Sequence, residues 1–138
     1  MAKGNLGHLQ VNVHLQNKQF YKDLFEFLGW KVLYDDENML GVEDEHSVSL
    51  WFSEPIKKTV ANDYDGIGTN HMAISVPSQA DVDAAVEFLK QHQVAALFDT
   101  PRHRPEFCDS EANTYYQVMF ESPDHILFEV VYTGPKQN

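Results

Sequence analysis

The sequence is poor in cysteine, in positive charge and in long apolar runs. Its single cysteine, Cys108, cannot form an internal disulfide, which is typical of a reducing compartment. Ten Lys and Arg against 21 Asp and Glu give a net charge of −11, which repels phosphate backbones and anionic lipid surfaces. No run approaches the roughly 18 consecutive apolar residues that a membrane-spanning helix needs. We therefore expect no nucleic-acid or membrane partner and, since no apolar leader segment opens the chain, a cytoplasmic protein.

The sequence nevertheless contains enough apolar material for a packed interior. Of its 138 residues, 43% are hydrophobic and 12% are aromatic. This length suits one compact domain spanning residues 1–138 better than two independent ones.

The first half of the sequence predicts a strand, a helix and three more strands. Apolar and polar residues alternate over residues 8–15, which is typical of a strand with one buried face. Apolar residues then recur at helical spacing, and they are Phe20, Leu24, Phe27 and Leu28. Gly29 ends this helix, and three short strands follow, over residues 31–34, 39–42 and 47–52. This first module spans residues 6–54, and a turn-rich linker covers residues 55–70.

The same order of elements begins again after the linker. Alternation predicts a strand over residues 71–76, and Ser78 is predicted to cap a helix that runs to about residue 91. Three strands follow, over residues 95–98, 115–120 and 126–132. A long irregular loop, residues 100–114, separates the first two of them, and loops of this length are often functional. The second module spans residues 71–132.

The repeat predicts an α+β fold in which paired βαβββ modules form a curved mixed sheet. Neither half can bury its own sheet alone, so that the halves pack together or with a partner chain. We expect helices on one face of the sheet and a concave cavity on the other.

Three residues of the predicted inner faces have the chemistry of metal ligands. His8 and His71 open equivalent strands, and Glu129 lies in the middle of an apolar strand, where a carboxylate is costly to bury unless it is paired or binds a cation. Two imidazoles and one carboxylate with open positions form the facial triad of iron(II) or manganese(II) sites. A three-ligand zinc site is also compatible with this set.

Several motifs add a family resemblance that covers residues 6–132. They are Leu6-Gly7-His8, Phe20-Tyr21 with Leu28-Gly29-Trp30, Asn70-His71-Met72-Ala73-Ile74, Ser122-Pro123-Asp124 and Phe128-Glu129. With the paired modules, they resemble the vicinal oxygen chelate superfamily. That superfamily includes glyoxalase I, extradiol dioxygenases, fosfomycin-inactivating transferases, methylmalonyl-CoA epimerase and metal-free bleomycin-binding proteins.

The resemblance implies a metal-dependent enzyme with His8, His71 and Glu129 as ligands. The ion would be one divalent metal, with Fe2+ or Mn2+ favoured over Zn2+ or Ni2+, and Glu129 would be the one carboxylate available for catalysis. Ser49 falls at the fourth ligand position, where glyoxalase I has a glutamate. The implied activity is therefore that of a ring-cleaving dioxygenase, a lyase or a transferase on a small substrate with vicinal oxygens.

The resemblance also implies an assembly and an alternative function. Single-pair members build their cavity from two chains, which implies a homodimer with His8 from one chain and the other two ligands from its partner. The alternative is a metal-free protein of the bleomycin-resistance type that binds or sequesters a small molecule.

Seven further residues are candidates for contacting the substrate. Arg102 and Arg104 are the only arginines of the chain, and guanidinium groups bind carboxylates, phosphates and enolates bidentately. The other candidates are His103 between them, Tyr115, Tyr116, Trp51 and Ser49. Alternation places Tyr115 and Tyr116 on opposite faces of their strand.

Overall fold

The computed structural model describes residues 1–138, which form two compact units, Met1–Ala61 and Asn62–Asn138. Each unit contains one four-stranded mixed sheet, so the predicted α+β class and the paired βαβββ modules are confirmed. Strands pair only within their own unit, so each module forms its own sheet. No helix is both long and apolar enough to cross a membrane.

The first unit places its earliest and latest strands side by side. Its elements are β1 (His8–Asn12), α1 (Lys18–Phe27), β2 (Lys31–Asp35), β3 (Met39–Glu43) and β4 (Ser49–Ser53). The strand order is β1-β4-β3-β2, with β1 parallel to β4 and the other pairs antiparallel. Gly29 follows α1 with φ +82°, a backbone conformation that glycine adopts without strain.

The buried stripe of α1 differs from the predicted one. Tyr21, Leu24 and Phe25 are buried, whereas Phe27 is 40% exposed. The buried set follows i, i+3, i+4 spacing, and Tyr21 stacks on Phe52 of β4 with ring centroids 4.6 Å apart. The contact between Tyr21 and the sheet therefore decides which residues of α1 are buried, and the spacing of apolar residues in the sequence alone does not show this.

The second unit repeats the topology of the first. Its elements are β5 (Met72–Ser75), α2 (Gln79–Gln91), β6 (Leu97–His103), β7 (Asn113–Glu121) and β8 (Leu127–Pro135). The strand order is β5-β8-β7-β6, with β5 parallel to β8. The predicted cap of α2 is confirmed, because the Ser78 hydroxyl accepts a hydrogen bond of 3.1 Å from the Asp81 amide.

The predicted irregular loop over residues 100–114 is wrong at both ends. Strand β6 extends to His103, Pro105–Phe107 form a 3₁₀ turn, and β7 already begins at Asn113. Phe98 and Asp99 both have positive φ angles, near +56° and +57°, which interrupt the extended backbone of β6. Side chains before and after this point therefore do not follow one continuous alternation between faces. The resulting irregularity shifts the register between Leu97 and Arg102.

Candidate metal and ligand-binding site

Glu129 is buried in the middle of β8, with 1% of its surface exposed. One carboxylate oxygen, Oε2, accepts a hydrogen bond of 2.8 Å from the Tyr115 hydroxyl and a second from the Gln117 amide nitrogen. Tyr115 and Gln117 are two residues apart on the neighbouring strand β7, so their side chains share the face of the sheet that Glu129 occupies. The network therefore supplies the partners that a buried carboxylate requires.

The phenol of Tyr115 is held in its protonated form. Burial, followed by its hydrogen bond to Glu129, raises the pKa of Tyr115 to about 12. At neutral pH the hydroxyl therefore donates to Glu129 and does not compete with it as a second anion.

His71 faces the other oxygen of the same carboxylate. It precedes β5 directly, and its Nε2 lies 3.2 Å from Oε1 of Glu129. Its Nδ1 lies 2.7 Å from the side-chain oxygen of Asn70, an atom that only accepts hydrogen bonds. Asn70 thus favours a proton on Nδ1, which makes Nε2 the ring nitrogen that faces Glu129 and would face a cation.

The segment before His71 is fastened to the turn between β7 and β8. The Asn62 side chain donates to the carbonyl of His125 at 2.8 Å, and the Tyr64 hydroxyl donates to Glu121 at 2.5 Å. The bond to Tyr64 lowers the pKa of Glu121, and the same bond raises the pKa of Tyr64 to about 12. Asn70 in turn donates to the Tyr64 carbonyl, so His71 follows an anchored segment of chain.

The His71–Glu129 pair has the spacing of two ligands of one metal ion. Nitrogen and oxygen ligands with bonds of about 2.0–2.2 Å, at tetrahedral or octahedral angles, lie roughly 2.9–3.4 Å apart. The observed 3.2 Å falls in this range, and the free oxygen of Glu129 is the one that faces His71. These two residues therefore fit a metal site, although no group of three or more His, Cys, Asp or Glu side chains that could hold an ion occurs in the structure.

The third predicted ligand, His8, belongs to the first unit. It is exposed at the start of β1, and its partner in the parallel register is Ser49 on β4. The indole nitrogen of Trp51 donates a hydrogen bond of 3.0 Å to the Ser49 hydroxyl, so these two predicted site residues contact each other.

The strand register corrects the predicted position of the fourth ligand. In the second unit, Glu129 pairs with Ala73, two residues after His71. Two residues after His8, the equivalent position pairs with Trp51. Trp51, and not Ser49, therefore occupies the site that corresponds to Glu129.

A cleft of about 720 Å³ opens over the carboxylate in the second unit. Its aromatic and aliphatic lining consists of Tyr64, Phe98, Phe107, Tyr115, Met119 and Leu127. Its polar lining consists of Asp65, Asn70, His71, Arg104, Gln117 and Glu129. An apolar cleft with a few convergent polar groups is the usual form of a small-molecule site.

The structure separates the remaining predicted substrate residues. Arg104 lines the cleft, where its Nε donates a hydrogen bond of 2.7 Å to Gln117, whereas Arg102 lines neither this cleft nor a second cavity of about 690 Å³. His103 lines that second cavity and contacts Tyr116 with ring centroids 4.6 Å apart and the ring planes tilted by 35°. The Tyr116 hydroxyl donates to Asp83 of α2, which agrees with the expected division of the two tyrosines between opposite faces.

Sequence reasoning missed Gln117, Asn70 and the two phenylalanines of the cleft. Gln117 had a signal, because a strand that places Tyr115 on the inner face places the residue two positions later there as well. Asn70 stood beside His71 in the quoted motif, but its role depends on a side-chain contact. Phe98 and Phe107 had no signal, since both follow from the irregular course of the chain around β6.

A family model described as the Glyoxalase/Bleomycin resistance protein/Dioxygenase superfamily matches residues 6–130. The chain belongs to this superfamily. The match covers both βαβββ modules and confirms the resemblance inferred from the motifs. No curated protein matches the sequence at a significant level.

Solved structures agree with this assignment at the level of the fold. A protein from Bacillus halodurans that is provisionally called a glyoxalase is 24% identical, with a TM-score of 0.79 over 94% of this chain and 96% of that one. Lactoylglutathione lyase from Agrobacterium tumefaciens is 13% identical, with a TM-score of 0.62 over 96% of each chain. An antibiotic-binding protein from Streptomyces sp. CB03234 is 20% identical, with a TM-score of 0.61 over 97% of this chain and 99% of that one. The same fold is thus shared by a lactoylglutathione lyase and an antibiotic-binding protein.

Proposed function

We propose that the protein is a metal-dependent enzyme that holds one divalent ion with His8, His71 and Glu129. Its substrate is a small molecule that chelates the ion through vicinal oxygens. The observation that carries the proposal is the 3.2 Å separation of His71 Nε2 and Glu129 Oε1 at the cleft. An imidazole nitrogen beside the one free oxygen of a buried glutamate is a donor set that a divalent ion could bridge.

The protein's own residues hold the two ligands in place. Asn70 keeps the proton of His71 on Nδ1, while Tyr115 and Gln117 occupy the second oxygen of Glu129. This leaves Glu129 with one oxygen for the ion, so it is a ligand first. A bound Fe2+ or Mn2+ ion would supply a Lewis acid that stabilises negative charge on the oxygens of the substrate.

The reaction class is that of a ring-cleaving dioxygenase, a lyase or a transferase, with oxygenation, isomerisation or thiol addition as the chemistry. The protein works as a cytoplasmic homodimer, in which His8 of one chain completes the pair formed by His71 and Glu129 of the other. Its partner is a small-molecule substrate, and the charge of −11 disfavours nucleic acid.

Elemental analysis of untagged protein reconstituted anaerobically with Fe2+, Mn2+, Zn2+ or Ni2+ tests this proposal. We expect about one ion per chain in the wild type and none in His71→Ala or Glu129→Gln. His103→Ala is the matched control, because His103 lies away from the cleft and should leave the ion bound. If the wild type binds an ion, the metal-loaded protein is then screened for activity on catechols, hemithioacetals and epoxides. Wild-type protein that binds none of the ions would refute the proposal.

A metal-free binding protein is the second candidate function. The observation that favours it is a cleft whose lining lies entirely in the second unit and includes four aromatic side chains. The similarity in fold to an antibiotic-binding protein agrees with this candidate. Tight binding of a small molecule to protein that holds no metal would favour it over the enzyme.

A further inference from the structure

We infer that the cleft binds a monocarboxylate attached to an aryl-sized apolar group, with Arg104 receiving the carboxylate. This inference rests on the proposed function in one respect, since it names the substrate class of the same cleft. It holds for a substrate and for a sequestered ligand alike.

Arg104 presents an unneutralised positive charge to the cleft. Its guanidinium makes two hydrogen bonds, a bond of 2.7 Å from Nε to the amide oxygen of Gln117 and a long one of 3.4 Å from Nη2 to the carbonyl of Phe98. Both acceptors are neutral, and no carboxylate forms an ion pair with it. In a protein with 21 acidic residues, an arginine without an ion pair at a cleft indicates a ligand that supplies the negative charge.

The orientation of the guanidinium favours a planar anion. Gln117 occupies the Nε side and the Phe98 carbonyl takes one hydrogen of Nη2, so Nη1 and the second hydrogen of Nη2 are left as a fork for a ligand. A carboxylate matches this fork with its two oxygens. A dianionic phosphate would need a second cation, but Arg104 is the only Lys or Arg in the lining, and Asp65 is also there.

The apolar part of the ligand is indicated by exposed aromatic rings beside Arg104. Phe98 is 50% exposed and Phe107 is 62% exposed, although both line the cleft. Phe107 meets Tyr115 edge to face at 5.2 Å, which leaves its outer surface to solvent. Phe98 adopts a positive φ that is unfavourable for a bulky side chain, and such strain is found at ligand sites. A flat apolar group would cover these rings and remove them from water.

Gln117 keeps the carboxylate site apart from the proposed metal site. Its amide oxygen accepts from Arg104 and its amide nitrogen donates to Glu129, so a neutral group stands between the two charges. The free fork of Arg104 is therefore available whether or not Glu129 holds an ion. The ligand's vicinal oxygens and its carboxylate would occupy different ends of one cleft.

Ligand titrations followed by NMR test the inference with 3-phenylpropanoate and its neutral analogue 3-phenylpropanamide. In metal-free wild type we expect the carboxylate to bind at least about tenfold more tightly than the amide, as a charge-assisted pair requires. Arg104→Gln should abolish this preference, and Arg104→Lys, which retains the charge without the fork, should restore only part of it. Arg102→Gln is the matched control, because Arg102 lies two residues earlier, on β6 and outside the cleft, and it should retain the full preference.

Four outcomes would overturn the inference. The first is equal affinity for acid and amide in the wild type, and the second is an equal loss of preference in Arg102→Gln. The third is tighter binding of phenyl phosphate than of 3-phenylpropanoate. The fourth is a preference that appears only with Mn2+ and survives Arg104→Gln, which would assign the carboxylate to the metal.

Metal content measured after reconstitution of the same variants with Mn2+ separates this inference from the proposed function. Arg104-dependent preference in protein that binds no ion would refute the metal enzyme and support the carboxylate site. One bound ion per chain without any preference for the carboxylate over the amide would support the metal enzyme and refute the carboxylate site. Amide NMR spectra of each variant verify that the fold is retained.

Discussion

The two units share one topology but differ in the residue at the centre of their last strand. In the second unit, Glu129 is 1% exposed and receives hydrogen bonds from Tyr115 and Gln117. In the first unit, the equivalent position holds Trp51, whose ring covers the backbone of Gly41. One module thus surrounds a buried charge with donors, and the other fills the same position with an indole.

This difference assigns unequal roles to the two halves of the repeat. The second unit contains the cleft, the His71–Glu129 pair and the arginine beside them. The first unit offers His8 as its one imidazole at the equivalent strand start and has no carboxylate where Glu129 would be. A repeat of the fold is therefore not a repeat of the site.

The largest expected effect is on metal affinity and contrasts the two equivalent positions directly. Glu129→Gln removes a ligand charge while retaining the shape of the side chain, so the affinity for Mn2+ should fall more than about 100-fold. Trp51→Phe should change it less than about threefold, because an indole is not a ligand. Isothermal titration calorimetry measures both, and an equal loss in the two variants would contradict the unequal roles.

The next effect tests how the first unit fills this position. A Cβ at Gly41 would lie 2.4 Å from the Trp51 ring, which is inside van der Waals contact. Gly41→Ala should therefore lower the free energy of unfolding by about 1–3 kcal/mol, measured by urea denaturation. Gly7→Ala, with no atom within 4 Å of its Cβ, is the control in the same unit and should cost less than about 0.5 kcal/mol. Adding Trp51→Ala to Gly41→Ala should remove the clash, and the two effects should not add.

A smaller effect distinguishes the two adjacent tyrosines of β7. Tyr115→Phe leaves buried Glu129 with one donor fewer, so the free energy of unfolding should fall by about 1–2 kcal/mol and metal affinity by about tenfold. Tyr116→Phe removes a bond to the exposed residue Asp83 and should leave metal affinity unchanged. Equal effects on the metal would show that Tyr115 does not position Glu129.

The smallest effect is the pH dependence contributed by Tyr116. Burial, and then the bond to Asp83, raises its pKa to about 12 from the usual 10. Because the folded value is the higher one, its contribution to stability is complete below pH 10 and is lost as the pH rises towards 12. Urea unfolding at a series of alkaline pH values should show a steeper loss for wild type than for Tyr116→Phe. Identical slopes would contradict the raised pKa.

Local patterns predicted most of the fold. Alternation and helical spacing indicated both βαβββ modules, and Ser78 and Gly29 indicated helix ends that the structure confirms. The loop after Phe98 was mispredicted because two residues with left-handed backbone angles interrupt β6. Neither of them is a glycine, so the sequence did not indicate this conformation. Backbone strain of this kind is imposed by tertiary contacts and leaves no local sequence signal.

The candidate site was predictable only in part for a similar reason. Glu129 was recognisable as a carboxylate in an apolar strand, and its partner His71 by its place at a strand start. Trp51, and not Ser49, is equivalent to Glu129 because of the parallel register between β1 and β4. These strands are far apart in sequence, so local patterns do not reveal their register. The distinction between Arg102 and Arg104 depends on which side chain reaches the cleft, and spacing does not reveal this.

Titration with Mn2+ followed by electron paramagnetic resonance tests most directly whether both units contribute to one metal site. The variants to compare are His8→Ala and Gln10→Ala, which are two residues apart and share one face of β1. We expect one tightly bound ion per chain in wild type and in Gln10→Ala, and none in His8→Ala. Full Mn2+ binding by His8→Ala would contradict the shared site and restrict the function to the cleft of the second unit.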